Sequence, residues 1–270
     1  MKTKEIKNKR TKENVISAIL VVKNEEEKLT GCLESLEWVN EIVLVDNGST
    51  DNTVKIAKKF NCKVYNYSGG TFSERKNFAV SKANGEWLLF MDADERVNSS
   101  LREELNSKLK TQDSKVNVYA IPRRNVILGK EFKHSGQWQD YVISFIKKDN
   151  FIEWKGDLHE QPKYKGELDY LKNPLIHRKH DNLHDMVSKT NRWSEIEARL
   201  MFDAHHPPMN ILRFFTAVLR EFNLRFIKEG AYLDGTEGIM YGVYQIFSRF
   251  MSYAKLWEKQ TMTKDLSLKT

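Results

Sequence analysis

EWLLFMDADERV, residues 86–97, sets the apolar run Trp87–Met91 directly before two acidic side chains one residue apart, Asp92 and Asp94. A short apolar run bounded by turn residues reads as a strand buried on both faces. The same pattern recurs upstream. VISAILVV (15–22) precedes NEEEKLTGCLESL, whose Leu29, Cys32, Leu33 and Leu36 fall at helical spacing. EIVLVD (41–46) precedes a DNGSTD turn and the helical TVKIAKKF, CKVYNY follows as a third strand, and SERKNFAVSKA as a helix leads into EWLLFMD. Strands and helices alternating through short turns predict an α/β fold, a Rossmann-like, mostly parallel sheet flanked by helices. In open sheets of this kind ligands bind outside the carboxyl ends of the strands. Asn24 and Glu25 after the first strand, Asp46 after the second, and Asp92 and Asp94 after the fourth are expected along that edge.

The pattern changes twice. After residue 117 come short strand-like pieces, VYAIP, the turn region RRNVILGKEF and YVISFIKK; past residue 182 come long helical segments. The first dozen residues, MKTKEIKNKRTK, read as a flexible basic tail over 1–13. With 270 residues, 40% hydrophobic and 30% charged, the chain has the composition of a folded globular protein. Its formal charge of +7 favours an anionic partner. Nucleic acid is not expected, because the charge is dispersed and no helix-turn-helix, zinc or aromatic RNA-binding signature occurs. Cys32 and Cys62 lack the spacing of a metal or redox pair, which makes a reducing cytoplasm the default compartment. No uncharged apolar run reaches the ~18 residues that a transmembrane helix needs.

Two carboxylates at i and i+2 on a loop can point the same way, and such hard oxygen ligands suit Mg²⁺ or Mn²⁺ bound together with substrate phosphates. A solvated turn capping the helix after Asn98 is the plainer reading of the same residues. In DNGSTDNT (46–53), Asp51 is an N-cap candidate and Asn47-Gly48 is ordinary turn chemistry, which leaves Asp46 to accept hydrogen bonds from a ligand. His180 and His184 have the i, i+4 spacing of a helical metal pair, but no third ligand is evident. His205 and His206 precede two prolines and read as a loop.

VVKNEE, VDNGSTDNT, SERKNFA and FMDADE, in this order, resemble glycosyltransferase family 2, whose members have the GT-A fold. IPRRNVILGK, WQDY, LHE, YLDGTEG and YAKLWE extend the resemblance over about residues 15–258, toward the branch that includes lipopolysaccharide inner-core β-1,4-glucosyltransferases. The resemblance implies a catalytic domain over 14–181, with nucleotide-sugar binding at about 14–116 and an acceptor region at about 117–181. The helical extension is then 182–270. It also implies inverting transfer from a nucleotide-diphosphate sugar, a UDP-sugar first among them, to a lipid-linked saccharide or lipopolysaccharide core. Asn24, Glu25 and Asp46 would hold the nucleoside, Lys76 or Arg75 would approach the diphosphate, and Asp92 and Asp94 would be the metal motif. His159 in GDLHEQ could complete the metal's coordination, as a histidine does in some relatives.

An inverting displacement needs a general base for the acceptor hydroxyl. Asp140, between Trp138 and Tyr141, falls where family members place that base; Glu160 is the rival, and a turn cap is the structural alternative for Asp140. The segment Met209–Ile227 sets aromatics against Arg213, Arg220 and Arg225, the pattern of a basic amphipathic helix that lies on an acidic membrane surface or packs on the catalytic domain. The expected setting is therefore cytoplasmic, peripheral on the inner face of the membrane. Two other functions were open to this sequence. A sugar-phosphate nucleotidyltransferase needs a glycine-rich loop after the first strand, which VVKNEEEKL lacks, and a non-catalytic membrane-peripheral protein need not keep these carboxylates.

Overall fold

The computed structural model describes residues 15–110, 115–156 and 160–267. The basic segment 1–13 and His159 lie outside the described residues. In chain order the elements are β1 (Ile16–Val22), α1 (Glu26–Glu34), β2 (Glu41–Asp46), α2 (Thr53–Lys59), β3 (Lys63–Asn66), α3 (Phe72–Lys82), β4 (Trp87–Met91), β5 (Glu95–Arg96) and α4 (Ser99–Lys110). There follow β6 (Val116–Ile127), β7 (Lys130–Glu131), β8 (Asp140–Lys147), β9 (Phe151–Lys155), β10 (Gln161–Tyr164), β11 (Glu167–Tyr170) and β12 (Leu175–His180). Three helices end the chain, α5 (Leu183–Asp203), α6 (Ile211–Phe222) and α7 (Gly235–Ser267).

The chain divides into two compact units, residues 1–123 with 141–177, and residues 124–140 with 178–270. In the first unit the strand order is β3-β2-β1-β4-β8-β6-β12-β5. β1 pairs in parallel with β2 and β4, and β2 with β3, as the alternation of strands and helices predicts. β8 joins β4 antiparallel, so the sheet is mostly parallel at one side and mixed beyond it. Every residue of β1 and β4 is buried, because helices cover both faces. One face carries Leu20, Leu29, Leu33, Leu44, Leu89 and Leu101; the other carries Ile19, Val43, Val45, Leu88, Phe90 and Ile146. Each such side chain contributes about 1.5–3 kcal/mol relative to exposure. α3 starts with a reciprocal capping box in which Thr71 Oγ1 accepts from the Glu74 amide and Glu74 accepts from the Thr71 amide. The T-x-x-E signature at 71–74 encodes it.

The second unit has its own apolar centres. Ile127, Phe132, Met186 and Tyr241 form one, and Ala198, Met209 and Leu256 another. The buried Asp234 carboxylate accepts hydrogen bonds from the amides of Lys133 and His134 and from Ser135 Oγ. These bonds tie residues 124–140 to the start of α7, which explains why that stretch groups with the C-terminal helices. The expected boundary after residue 181 is thus not a single cut.

Candidate active site

The β1–α1 and β2–α2 loops are laced together at the carboxyl edge. Asn24 has a left-handed backbone (φ 53°), a conformation asparagine tolerates better than most residues. Its amide donates to Ser49 Oγ (2.9 Å) and its Oδ1 accepts from the Thr50 amide (2.8 Å). The Glu25 amide donates to Thr53 Oγ1 at 2.8 Å. Asp51 does not cap by the expected simple scheme. It accepts from the Thr53 amide with Oδ1 and from the Glu26 amide with Oδ2, so it bridges both loops. Asp46, expected to be left over for a ligand, is itself part of the turn. It is buried and accepts from the amides of Gly48 and Ser49, at 3.1 Å each to Oδ2, because those amides have no strand partner. A carboxylate has about four lone-pair sites, so acceptor capacity remains.

At the end of β4, burial alternates. Ala93 and Glu95 are buried while Asp92 and Asp94 are half-exposed, which sets the two aspartates on the more open side of the loop. Glu95 Oε2 accepts from the Asp92 amide (3.0 Å), and the Glu95 amide returns a bond to the Asp92 carbonyl (3.0 Å). Arg96 clamps the loop by donating to the carbonyls of Ala93, Glu95 and Lys28. Gly31 makes room for it, since a Cβ there would stand 2.8 Å from Arg96 Nε. β12 pairs antiparallel with β5 and places His177 opposite Glu95, with His177 Nε2 3.6 Å from Asp94 Oδ1. Burial, and then the charge of Asp92, push the Glu95 carboxyl up to about 8 against the pull of Arg123, whose Nη1 lies 3.8 Å away.

Among the described residues no three His, Cys, Asp or Glu side chains gather to hold a metal on protein ligands alone. The donor set of two half-exposed aspartates with an imidazole beside one of them fits a different arrangement. It suits a hard divalent ion whose remaining positions are filled by water and substrate phosphates.

The two candidate cations on α3 are already engaged. Lys76 Nζ lies 3.1 Å from Glu160 Oε1 and 4.0 Å from the centre of the Trp154 ring. The expected phosphate contact and the rival base are thus brought together. Arg75 Nη1 donates to the carbonyls of Gly69 (2.6 Å) and Gly70 (2.8 Å), while its buried Nε has no hydrogen-bond partner. Burial lowers its pKa.

Asp140 belongs to the second unit, as the first residue of β8. Asn125 Nδ2 donates to the Gln137 carbonyl (2.9 Å) and reaches Asp140 Oδ2 at 3.4 Å, which orients the carboxylate. Trp138 is 47% exposed and so is available for contact with a ligand. In the first unit, Tyr141 and Tyr170 are exposed and meet edge to face at 5.1 Å. His180 and His184 do not make a metal pair. His180 is buried against Tyr241 and Tyr244 while His184 is exposed, and burial followed by the charges of Lys189 and Lys179 lowers the His180 pKa to about 4.

Sequence reading missed His177, Glu95, Arg96 and Trp154. Glu95 and Arg96 adjoin the acidic pair and could have been flagged by adjacency alone. His177 and Trp154 carry no local signal, since strand pairing and the packing of α3 bring them to the site.

Comparison with known proteins places the chain in a family. The family model described as "Glycosyl transferase family 2" matches residues 17–166. Lipopolysaccharide core biosynthesis glycosyltransferase LpsC of Rhizobium meliloti (strain 1021) is 25% identical over 255 residues, covering 92% of this chain and 93% of that protein. Uncharacterized glycosyltransferase RP128 of Rickettsia prowazekii (strain Madrid E) is 25% identical over 266 residues, covering 94% and 88%. Among solved structures, S. aureus TarS 1-349 in complex with UDP-GlcNAc aligns with a TM-score of 0.46 at 15% identity, covering 92% of each chain. With more than half of its length matched by the family model, the chain belongs to glycosyl transferase family 2 and is a glycosyltransferase.

Proposed function

We propose that the protein transfers a sugar, with inversion, from a nucleotide-diphosphate donor to a saccharide of the lipopolysaccharide core or a related surface glycan. The observation that carries this reading is the half-exposed Asp92–Asp94 pair, beside His177, at the end of a buried parallel strand. Asn24, Glu25 and Asp46 would face the nucleoside and Lys76 the diphosphate. Asp92 and Asp94 would hold Mg²⁺ or Mn²⁺, with water and the donor's phosphates at the remaining positions; His159, the third ligand that the resemblance implies, lies outside the described residues. The ion would supply positive charge to the departing diphosphate. In the transfer, the acceptor hydroxyl oxygen bonds to the anomeric carbon while the bond from that carbon to the diphosphate oxygen breaks. The nucleoside diphosphate leaves with the electron pair, and Asp140 takes the hydroxyl proton. Glu160, paired with Lys76, is the second candidate for that proton.

The acceptor class rests on the likeness to LpsC along nearly the whole of both chains. The test is a panel of nucleotide sugars, UDP-sugars first, incubated with truncated lipopolysaccharide core and Mn²⁺, the product being read by mass spectrometry. Addition of one hexose or heptose residue is expected. Release of nucleoside diphosphate with no sugar gained by any core or surface-glycan acceptor would overturn the acceptor assignment. Asp140→Asn is expected to abolish transfer while leaving nucleotide binding intact; full transfer by that variant would hand the role to Glu160.

A further inference from the structure

α6 turns its apolar side outward. The inward side is made by Phe214, Ala217 and Glu221: Ala217 and Glu221 are buried, and the Phe214 ring packs 5.6 Å from that of Phe250 on α7. Ile211, Leu212, Phe215, Leu219 and Phe222 are exposed by 87, 67, 65, 53 and 45%. At about 100° per residue these five fall within an arc of about 100°, an amphipathic stripe left exposed along its length, with the Phe226 ring stacked on that of Phe222 (5.0 Å) at its end. Ile227 just beyond α6, and Val243 and Phe247 on α7, add exposed apolar surface in the same unit. Soluble monomers seldom expose contiguous apolar patches larger than a few hundred Å², and larger ones mark interaction sites.

The exposed charges of α6 are of one sign, with both arginines about 80–100° beyond the stripe's edge at Leu212. Arg213, Arg220 and Lys228 are exposed, and Arg220 donates to the Tyr253 hydroxyl at 3.1 Å. The acidic residue of α6, Glu221, is buried and paired with Arg225 (2.8 Å) and Arg249 (3.8 Å). Negative charge is thus withdrawn from the surface and positive charge left on it. Among the described residues no helix is long and apolar enough to cross a membrane. A second copy docking by the same face across a two-fold axis would bring arginines against arginines, with no exposed carboxylate on the helix to answer them.

We infer that this face docks on an anionic lipid bilayer, α6 lying in the headgroup plane with Phe215, Leu219 and Phe222 at the acyl boundary and Arg213 and Arg220 on lipid phosphates. The inference stands on α6 and its neighbours and is independent of the glycan assigned as acceptor.

The test is sedimentation of the full chain with sucrose-loaded vesicles of phosphatidylcholine alone, or of phosphatidylcholine with about a third phosphatidylglycerol, at low and high salt, alongside light scattering without lipid. Binding is expected on the anionic vesicles only, weakened at high salt. R213Q/R220Q is expected to lower the partition coefficient about 30-fold, from roughly fivefold per surface arginine. F215D/L219D should abolish binding with an unchanged thermal melt. Equal binding to both lipids, or no binding to either, by the wild-type chain would overturn the proposal, whatever the variants do. So would a dimer dissolved by F215D/L219D in a chain that ignores vesicles.

Discussion

Lys76 and Glu160 are close enough to be each other's only need or to be held ready for a ligand, and the two cases separate experimentally. Their charged atoms are 3.1 Å apart, with side chains 12% and 20% exposed. Direct attraction at that distance is about 5 kcal/mol at an effective dielectric of about 20. Desolvation of both groups offsets most of it and leaves a coupling of about 1–2 kcal/mol. The Trp154 face, 4.0 Å from the ammonium, adds about 0.5–1 kcal/mol. Urea unfolding of K76M, E160Q and the double variant is expected to return that coupling. Nucleotide binding should behave differently. A charge-assisted hydrogen bond to a diphosphate contributes about 1.5–3 kcal/mol, so K76M should weaken UDP binding, measured by calorimetry, by roughly 10- to 150-fold. E160Q leaves the ammonium in place and should not weaken it. Equal losses in both single variants, with the double variant no worse, would show that the pair is structural and that Lys76 does not reach the diphosphate.

Other consequences follow from groups around the site. His180 is held neutral with a pKa near 4. Its folded value lies below its unfolded one, so its contribution, about 3 kcal/mol, is complete above pH ~6.5 and is lost as pH falls through 4. H180F should remove that slope from the pH dependence of the urea midpoint, and an unchanged slope would contradict the assignment. Glu41 is pushed up by burial but held at about 2 by hydrogen bonds from Lys63, Ser17 and Asn84. Its stabilisation is present above pH ~4.5 and lost as pH falls toward 2, so E41Q should cost about 2–3 kcal/mol at pH 7 and almost nothing at pH 2. R96M removes the clamp on the loop that carries both aspartates, and should cost about 2–4 kcal/mol in stability together with at least tenfold in turnover. Loss of stability with turnover intact at low temperature would show that the loop holds its shape without Arg96.

The parallel half of the sheet was legible because each strand is a continuous apolar run ended by polar turn residues, from VISAILVV to EWLLFMD. Local periodicity carries that information. It does not report which strand lies beside which, so β8 entering antiparallel next to β4, and β12 bringing His177 to Asp94, could not be read. Asp46 shows a second limit. Its position at a strand end was evident, but its use by the amides of Gly48 and Ser49 depends on turn geometry. The grouping of 124–140 with the C-terminal helices was hidden for the same reason, since Asp234 meets Lys133 and His134 only in the folded chain. The outward apolar face of α6 was half-legible: the stripe is in the sequence, but which side packs inward is decided by Ala217 and Phe214.

The central claim is tested most directly by glycosyl transfer from a nucleotide sugar, measured on protein stripped with EDTA and then resupplied with Mn²⁺ or Mg²⁺, for the wild type and for Asp94→Asn. The account predicts that the stripped wild type is inactive and recovers with either ion, and that Asp94→Asn stays at least about 100-fold slower at every metal concentration, a loss on the scale of removing one charge-stabilising group. Full transfer by the stripped wild type, or by Asp94→Asn, would contradict it.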